Sequence, residues 1–131
     1  MQKLAAVEEA KEMFEQGKEW GVWRWLIEKR RARQTADAAW EALETYEKKL
    51  KAAWPAGLKK ALRDDHVLQA ADAKAHQARM DAEAQFDEAD RRLSTSMARE
   101  GAQMAIDAWT MREKFIRRLE TFARQTASQK P

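Results

Sequence analysis

The chain has 131 residues and a mass of 15.2 kDa, with 36% charged residues, a mean hydropathy of −0.83, no cysteine and a net charge of +3. The lack of cysteine excludes disulfides, thiol catalysis and cysteine-ligated zinc, and no apolar run approaches the ~20 residues needed to span a bilayer. Only four glycines and two prolines interrupt a chain rich in Ala, Glu, Lys, Arg and Leu, which is the composition of long helices.

At 100° of rotation per residue, one apolar face runs through nearly the whole chain. It begins with Leu4, Val7 and Phe14, an expected N-terminal helical extension. This segment carries Glu8, Glu9, Glu12 and Glu15, where a secretory signal needs an apolar core and a transit peptide avoids acids, so a cytoplasmic protein is expected. Gly17 and Gly21 form a weak break, since an interior glycine costs about 1 kcal/mol against alanine without ending a helix by itself. The face continues through Val22, Trp25, Ala36, Trp40, Leu43, Leu50 and Trp54. Pro55 then lacks an amide donor and restrains the residue before it, which predicts a turn. Beyond it the face resumes at Leu68, Ala75, Ala82, Phe86, Ala89 and Leu93, and carries on through Met97, Met104, Ala108, Phe115, Leu119 and Phe122.

Ser94-Thr95-Ser96 is the third candidate break, because serine and threonine hydroxyls compete for backbone groups. The predicted fold is all-α. With a turn at the serines it is an elongated antiparallel bundle of three long helices at about 22–54, 57–93 and 97–126, preceded by the helical extension. The alternative is a two-helix antiparallel coiled-coil hairpin turning only at Pro55, favoured by the unbroken phase from Leu93 to Met97. Either way residues 1–131 read as one helical domain, with 126–131 as a frayed tail.

Heptad spacing of Ala75, Ala82 and Ala89, and of Ala108, Phe115 and Phe122, predicts left-handed knobs-into-holes packing. An alanine seam buries little area. It is therefore expected to dock against bulky residues, either Trp25, Trp40 and Leu43 or a second subunit.

Two segments have more apolar surface than one stripe requires. Trp20, Trp23 and Ile27 project from nearly the opposite side to Val22 and Trp25, and Trp109 and Ile116 lie beside the main stripe of the last helix. These five residues are the expected partner-binding positions, since tryptophan commonly anchors interfaces. A protein partner or a homo-oligomer is expected.

Charge is uneven, at +4 over residues 20–33 and +5 over residues 91–131. A basic patch would comprise Lys29, Arg30, Arg31 and Arg33 together with Arg112, Arg117 and Arg118, and nucleic-acid binding is the alternative function if the two clusters meet. Elsewhere acids and bases alternate, as on a solvated helix. Peripheral membrane binding is disfavoured because the basic residues around Trp23 point in all directions instead of flanking one apolar face.

Catalytic motifs are lacking. There is no glycine-rich phosphate loop, no G-x-S-x-G, no H-E-x-x-H and no E-x-x-H pair. Asp72 and His76, four residues apart, supply two potential metal ligands, which is too few for a site; Asp64, Asp65 and His66 add no pattern. No catalytic residue, metal or cofactor is expected, and the predicted function is non-enzymatic, through protein–protein interaction or self-association as an adaptor, chaperone-like or structural component.

Overall fold

The computed structural model describes residues 3–128. They form five helices: α1 (Ala5–Gly17), α2 (Val22–Ala52), α3 (Ala56–Asp64), α4 (His66–Arg92) and α5 (Thr95–Ser128), with no strand among the described residues. The all-α expectation is met. The three long helices correspond to α2, α3 with α4, and α5, with α1 as the N-terminal extension. α5 extends to Ser128, and residues 129–131 of the expected tail lie outside the described residues.

Each boundary has a local cause. Gly17 and Gly21 bracket the α1–α2 turn, where the Trp20 amide donates to the Gly17 carbonyl at 3.0 Å. Pro55, at φ −67° and ψ 159°, sits just before α3. The break at Asp65 was not expected: the Asp65 carboxylate accepts from the Leu68 amide at 3.0 Å and so caps α4. The Gln69 side-chain amide donates to the Leu62 carbonyl at 2.9 Å, a second bond to an acceptor that the Asp65 amide already reaches at 3.1 Å.

The single-turn hairpin is excluded at Leu93. This residue takes the left-handed conformation, φ 49° and ψ 43°, and ends α4. Ser94 Oγ then accepts from the Met97 amide at 3.2 Å and starts α5. The phase carried from Leu93 to Met97 is therefore a property of two helices facing the same core, not of one continuous rod. A leucine pays a steric penalty in this conformation that glycine avoids, and half of the Leu93 surface is in water. Leu93→Gly is expected to stabilise the protein by about 0.5–1 kcal/mol, seen as a higher urea midpoint at unchanged slope.

α5 is the hub of the bundle. It runs antiparallel to α4, its closest neighbour, and also touches α1 and α2. Ties between α2 and α5 set these two parallel, from Trp40 with Arg112 to Tyr46 with Glu120 further along both helices. One apolar cluster draws on all five helices, from Val7 and Phe14 through Trp40, Leu43, Leu58 and Phe86 to Trp109 and Leu119. The alanine seam of α4 does not face tryptophans alone: Ala75, Ala82 and Ala89 are buried together with Ala98, Ala102, Ala105 and Ala108 of the adjoining α5. Small residues on both helices let the backbones approach, and a Cβ on Gly101 would lie 3.1 Å from the Phe86 ring.

Candidate functional site

The expected binding residues divide sharply once the helices are assembled. Trp109 and Ile116 are 2% and 0% exposed. They are core residues, not a docking strip, because α5 is covered on several sides at once: the Trp109 ring lies 5.0 Å from that of Phe14 on α1. Trp20 is half-buried in the α1–α2 turn, its ring against Gly17 and the Arg24 guanidinium 5.5 Å over its face. Trp23 and Ile27 remain in water, 81% and 74% exposed. One turn apart on α2, they form an apolar ridge on its solvent side, because α1 packs on α2 from the direction of Trp20, Arg24 and Arg31 instead.

The basic residues also separate. Arg30 and Arg31 are exposed beside the ridge, and Lys29 is half-buried. Arg33 turns toward α4, where Nη2 lies 2.7 Å from Asp87 Oδ1 and 3.7 Å from Asp90 Oδ2. Arg117 and Arg118 are exposed near the far end of α5, by Val67 and Phe122. Because α2 and α5 run parallel, about 20 Å of bundle separates the two clusters at 1.5 Å per residue. They do not form one face.

Arg112 does not belong to a surface patch at all. It is 3% exposed, on the inner side of α5. Its Nη2 lies 2.6 Å from Glu47 Oε1 and its Nη1 contacts Asp72 Oδ1 and, at 3.3 Å, His76 Nε2. Glu47 Oε1 sits off the N–H direction and gains no hydrogen bond from this approach; Glu47 Oε2 accepts from Lys51 Nζ at 3.0 Å. The guanidinium carbon stands 5.6 Å from the centre of the Trp40 ring and 5.1 Å from that of Phe115. A buried cation thus hydrogen-bonds Asp72, pairs with Glu47 without a hydrogen bond and faces two aromatic rings. This offsets its desolvation only in part, since its Nε is buried without a partner among the described residues. Asp72 and His76 do share a helix face, at 3.4 Å, but their partner is this guanidinium. Among the described residues no group of three or more His, Asp or Glu side chains is placed to hold a metal ion. Glu47 and Trp40 went unrecognised as its partners; the available signal was a charged residue four after Ala108 and three before Phe115, on the main stripe.

Tyr46, the sole tyrosine, extends the polar seam of α2 and α5 by donating to Glu120 Oε2 at 3.2 Å. Loss of hydration raises its pKa above the ordinary 10.0, and the adjacent Glu120 charge raises it further. The folded state therefore holds the phenol proton more tightly than the unfolded chain. That contribution is complete below pH 10 and is lost as pH rises through the raised value. Phenolate difference absorbance is expected to show a midpoint above that of the urea-unfolded chain, and Glu120→Gln should lower it.

No helix among the described residues is long and apolar enough to cross a membrane. No family model matches the chain, and neither a curated protein nor a solved structure gives a match.

Proposed function

We infer that the chain is a non-catalytic helical module that binds a protein partner through the Trp23–Ile27 ridge of α2. The observation that supports this reading is a tryptophan and an isoleucine, 81% and 74% exposed, one turn apart on a helix whose opposite face is already buried. Neither side chain contributes to the core. Both present apolar area whose burial against a partner would be favourable.

The surrounding charge narrows the partner. Arg24, Arg30 and Arg31 flank the ridge; Glu28 is the one acid of α2 between them, and Glu9 and Glu12 of α1 line the groove beside Arg24 and Arg31. Arg24 Nε is 3.8 Å and Arg31 Nη1 4.0 Å from a Glu28 oxygen, distances at which exposed ion pairs hold little. An acidic helix with apolar residues at i and i+4 is complementary in charge and periodicity. A second copy of the same ridge would bring arginines against arginines, which opposes self-association through this face.

The test is a titration with an acidic amphipathic helical peptide carrying leucines at i and i+4. Micromolar binding that falls about 30-fold in Trp23→Ala, as expected for a central anchor, with unchanged melting temperature, supports the reading. Equal binding by Trp23→Ala and by Ile27→Ser overturns it. Concentration-dependent dimerisation lost in Trp23→Ala would reassign the ridge to self-association, and Trp23-dependent binding to anionic vesicles without peptide binding would reassign it to a membrane surface. A salt-dependent shift with DNA or RNA that survives Trp23→Ala would support the basic-module alternative instead.

A further inference from the structure

α2 and α4 do not close on each other. Between them, over α5, lies a cleft of about 250 Å³ walled by Ala36, Ala82, Phe86, Ala105, Ala108 and Trp109. Its cause is a mismatch of side-chain lengths. Trp25 stacks on Phe86 at 5.5 Å and, four turns further along α2, Trp40 meets His76 edge-on at 5.4 Å, so large rings hold the two helices apart. Ala36 and Ala82 lie between these spacers and are too short to meet. The volume is thus built by the fold, with two aromatic rings in its wall and alanines around them.

Its rim is not apolar. Arg33 lines the cleft, and its Nε is buried without a hydrogen-bond partner among the described residues. An orphaned donor of this kind costs free energy, and a rotation of the Arg33 side chain toward the cleft would let an entering acceptor recover it. Arg79, on the same rim, lies 3.5 Å from Asp37 and 3.4 Å from Glu83, with its guanidinium carbon 5.0 Å over the Trp40 ring. Those two carboxylates belong to side chains 67% and 52% exposed, whereas the Arg33 and Arg79 side chains are 35% and 33% exposed. At the rim, an entering molecule therefore meets both guanidinium groups.

We propose that the cleft between α2 and α4 is a binding site for a small bicyclic aromatic carboxylate, its rings against Phe86 and Trp109 and its carboxylate accepting from Arg33 and Arg79. Size sets the ring system: a dry apolar cavity of about 150 Å³ accommodates benzene, and the larger volume here suits two fused rings. The orphaned Arg33 Nε sets the charge, since a carboxylate makes charge-assisted hydrogen bonds to guanidinium that a neutral group cannot equal. The site faces α4, on a different side of α2 from the Trp23–Ile27 ridge, and stands or falls independently of it.

The probe is naphthalene-2-carboxylate, titrated calorimetrically into the full chain and compared with naphthalene-2-methanol and 2-naphthylmethylamine. One molecule of the acid is expected to bind and to raise the melting temperature, with the alcohol about tenfold weaker and the amine weaker still. Ala36→Phe, which fills the cleft from α2, should abolish binding without lowering the melting temperature. Arg33→Met keeps the apolar length of the side chain and should reduce the acid to the affinity of the alcohol; it serves as the localising variant if Ala36→Phe fails to fold. No heat and no thermal shift at about 1 mM acid, an amine that binds as well as the acid, or undiminished binding by both variants would each overturn the proposal.

Discussion

Arg112→Ala is expected to destabilise the protein by about 3 kcal/mol, at the lower end of the range for breaking a buried ion pair. The cost arises from what the substitution leaves behind. The Glu47 side chain, 12% exposed, would lose one of its two cationic neighbours and retain only Lys51. The Asp72 side chain, 32% exposed, can be rehydrated, which keeps the loss from the upper end of the range. The space between the Trp40 and Phe115 rings would also empty. Arg112→Lys should recover only part of the loss, because a point charge cannot reach Glu47 and Asp72 with separate nitrogens while lying flat between two rings. Arg112→Leu combined with Glu47→Leu and Asp72→Asn should regain most of the stability, since the charges are then removed together. Urea unfolding of the three variants checks this, and a loss below about 1 kcal/mol for Arg112→Ala would mean that the guanidinium is effectively solvated.

Trp109→Ala is expected to cost about 3–5 kcal/mol, the range for deleting a buried large aromatic. Trp109 packs on Phe14 and forms part of the wall of the α2–α4 cleft. Removing it would join its own volume to a void that the Trp25 and Trp40 spacers prevent from collapsing, which places the loss toward the upper value. Trp23→Ala, the same change on the exposed ridge, should fall within about 0.5 kcal/mol of the parent. Unfolding followed by the fluorescence of the remaining tryptophans measures both. Similar costs for the two would contradict the division between core and ridge.

How much of this was legible depends on the range of the interaction involved. Pro55 acts on its own backbone, so the turn beside it could be read directly, whereas Gly17 and Gly21 offered only a weak break where the α1–α2 turn lies. Asp65 also acts locally, through its carboxylate on the Leu68 amide, but an aspartate inside a charged stretch is an ambiguous cap, and the helix expected over 57–93 divides there. Ser94 was visible as a cap and was opposed by the continuous phase from Leu93 to Met97. Phase records only which side faces the core, and two antiparallel helices can share it.

The candidate site was less legible. Trp109, Ile116, Trp23 and Ile27 carry the same signal, apolar residues off the main stripe, and have opposite fates. α5 touches α1, α2 and α4, so its second apolar side is covered. α2 is covered by α1 from a different direction, so Trp23 and Ile27 are left in water. Arg112 was read with Arg117 and Arg118 as one basic group, yet it enters the core while its neighbours in sequence remain outside.

By itself the sequence determined that the chain is helical, which face of each helix is apolar and where proline interrupts it, because each of these follows from residues within a few turns of one another. Only the tertiary structure decided which apolar faces are covered, that Arg112 is a buried cation paired with Glu47 and Asp72, and that a cleft stands open between Ala36 and Ala82. Those outcomes depend on which helix lies opposite and at what distance. That is set by the lengths of side chains far apart in sequence, such as Trp25 on Phe86 and Trp40 on His76, and no local pattern records it.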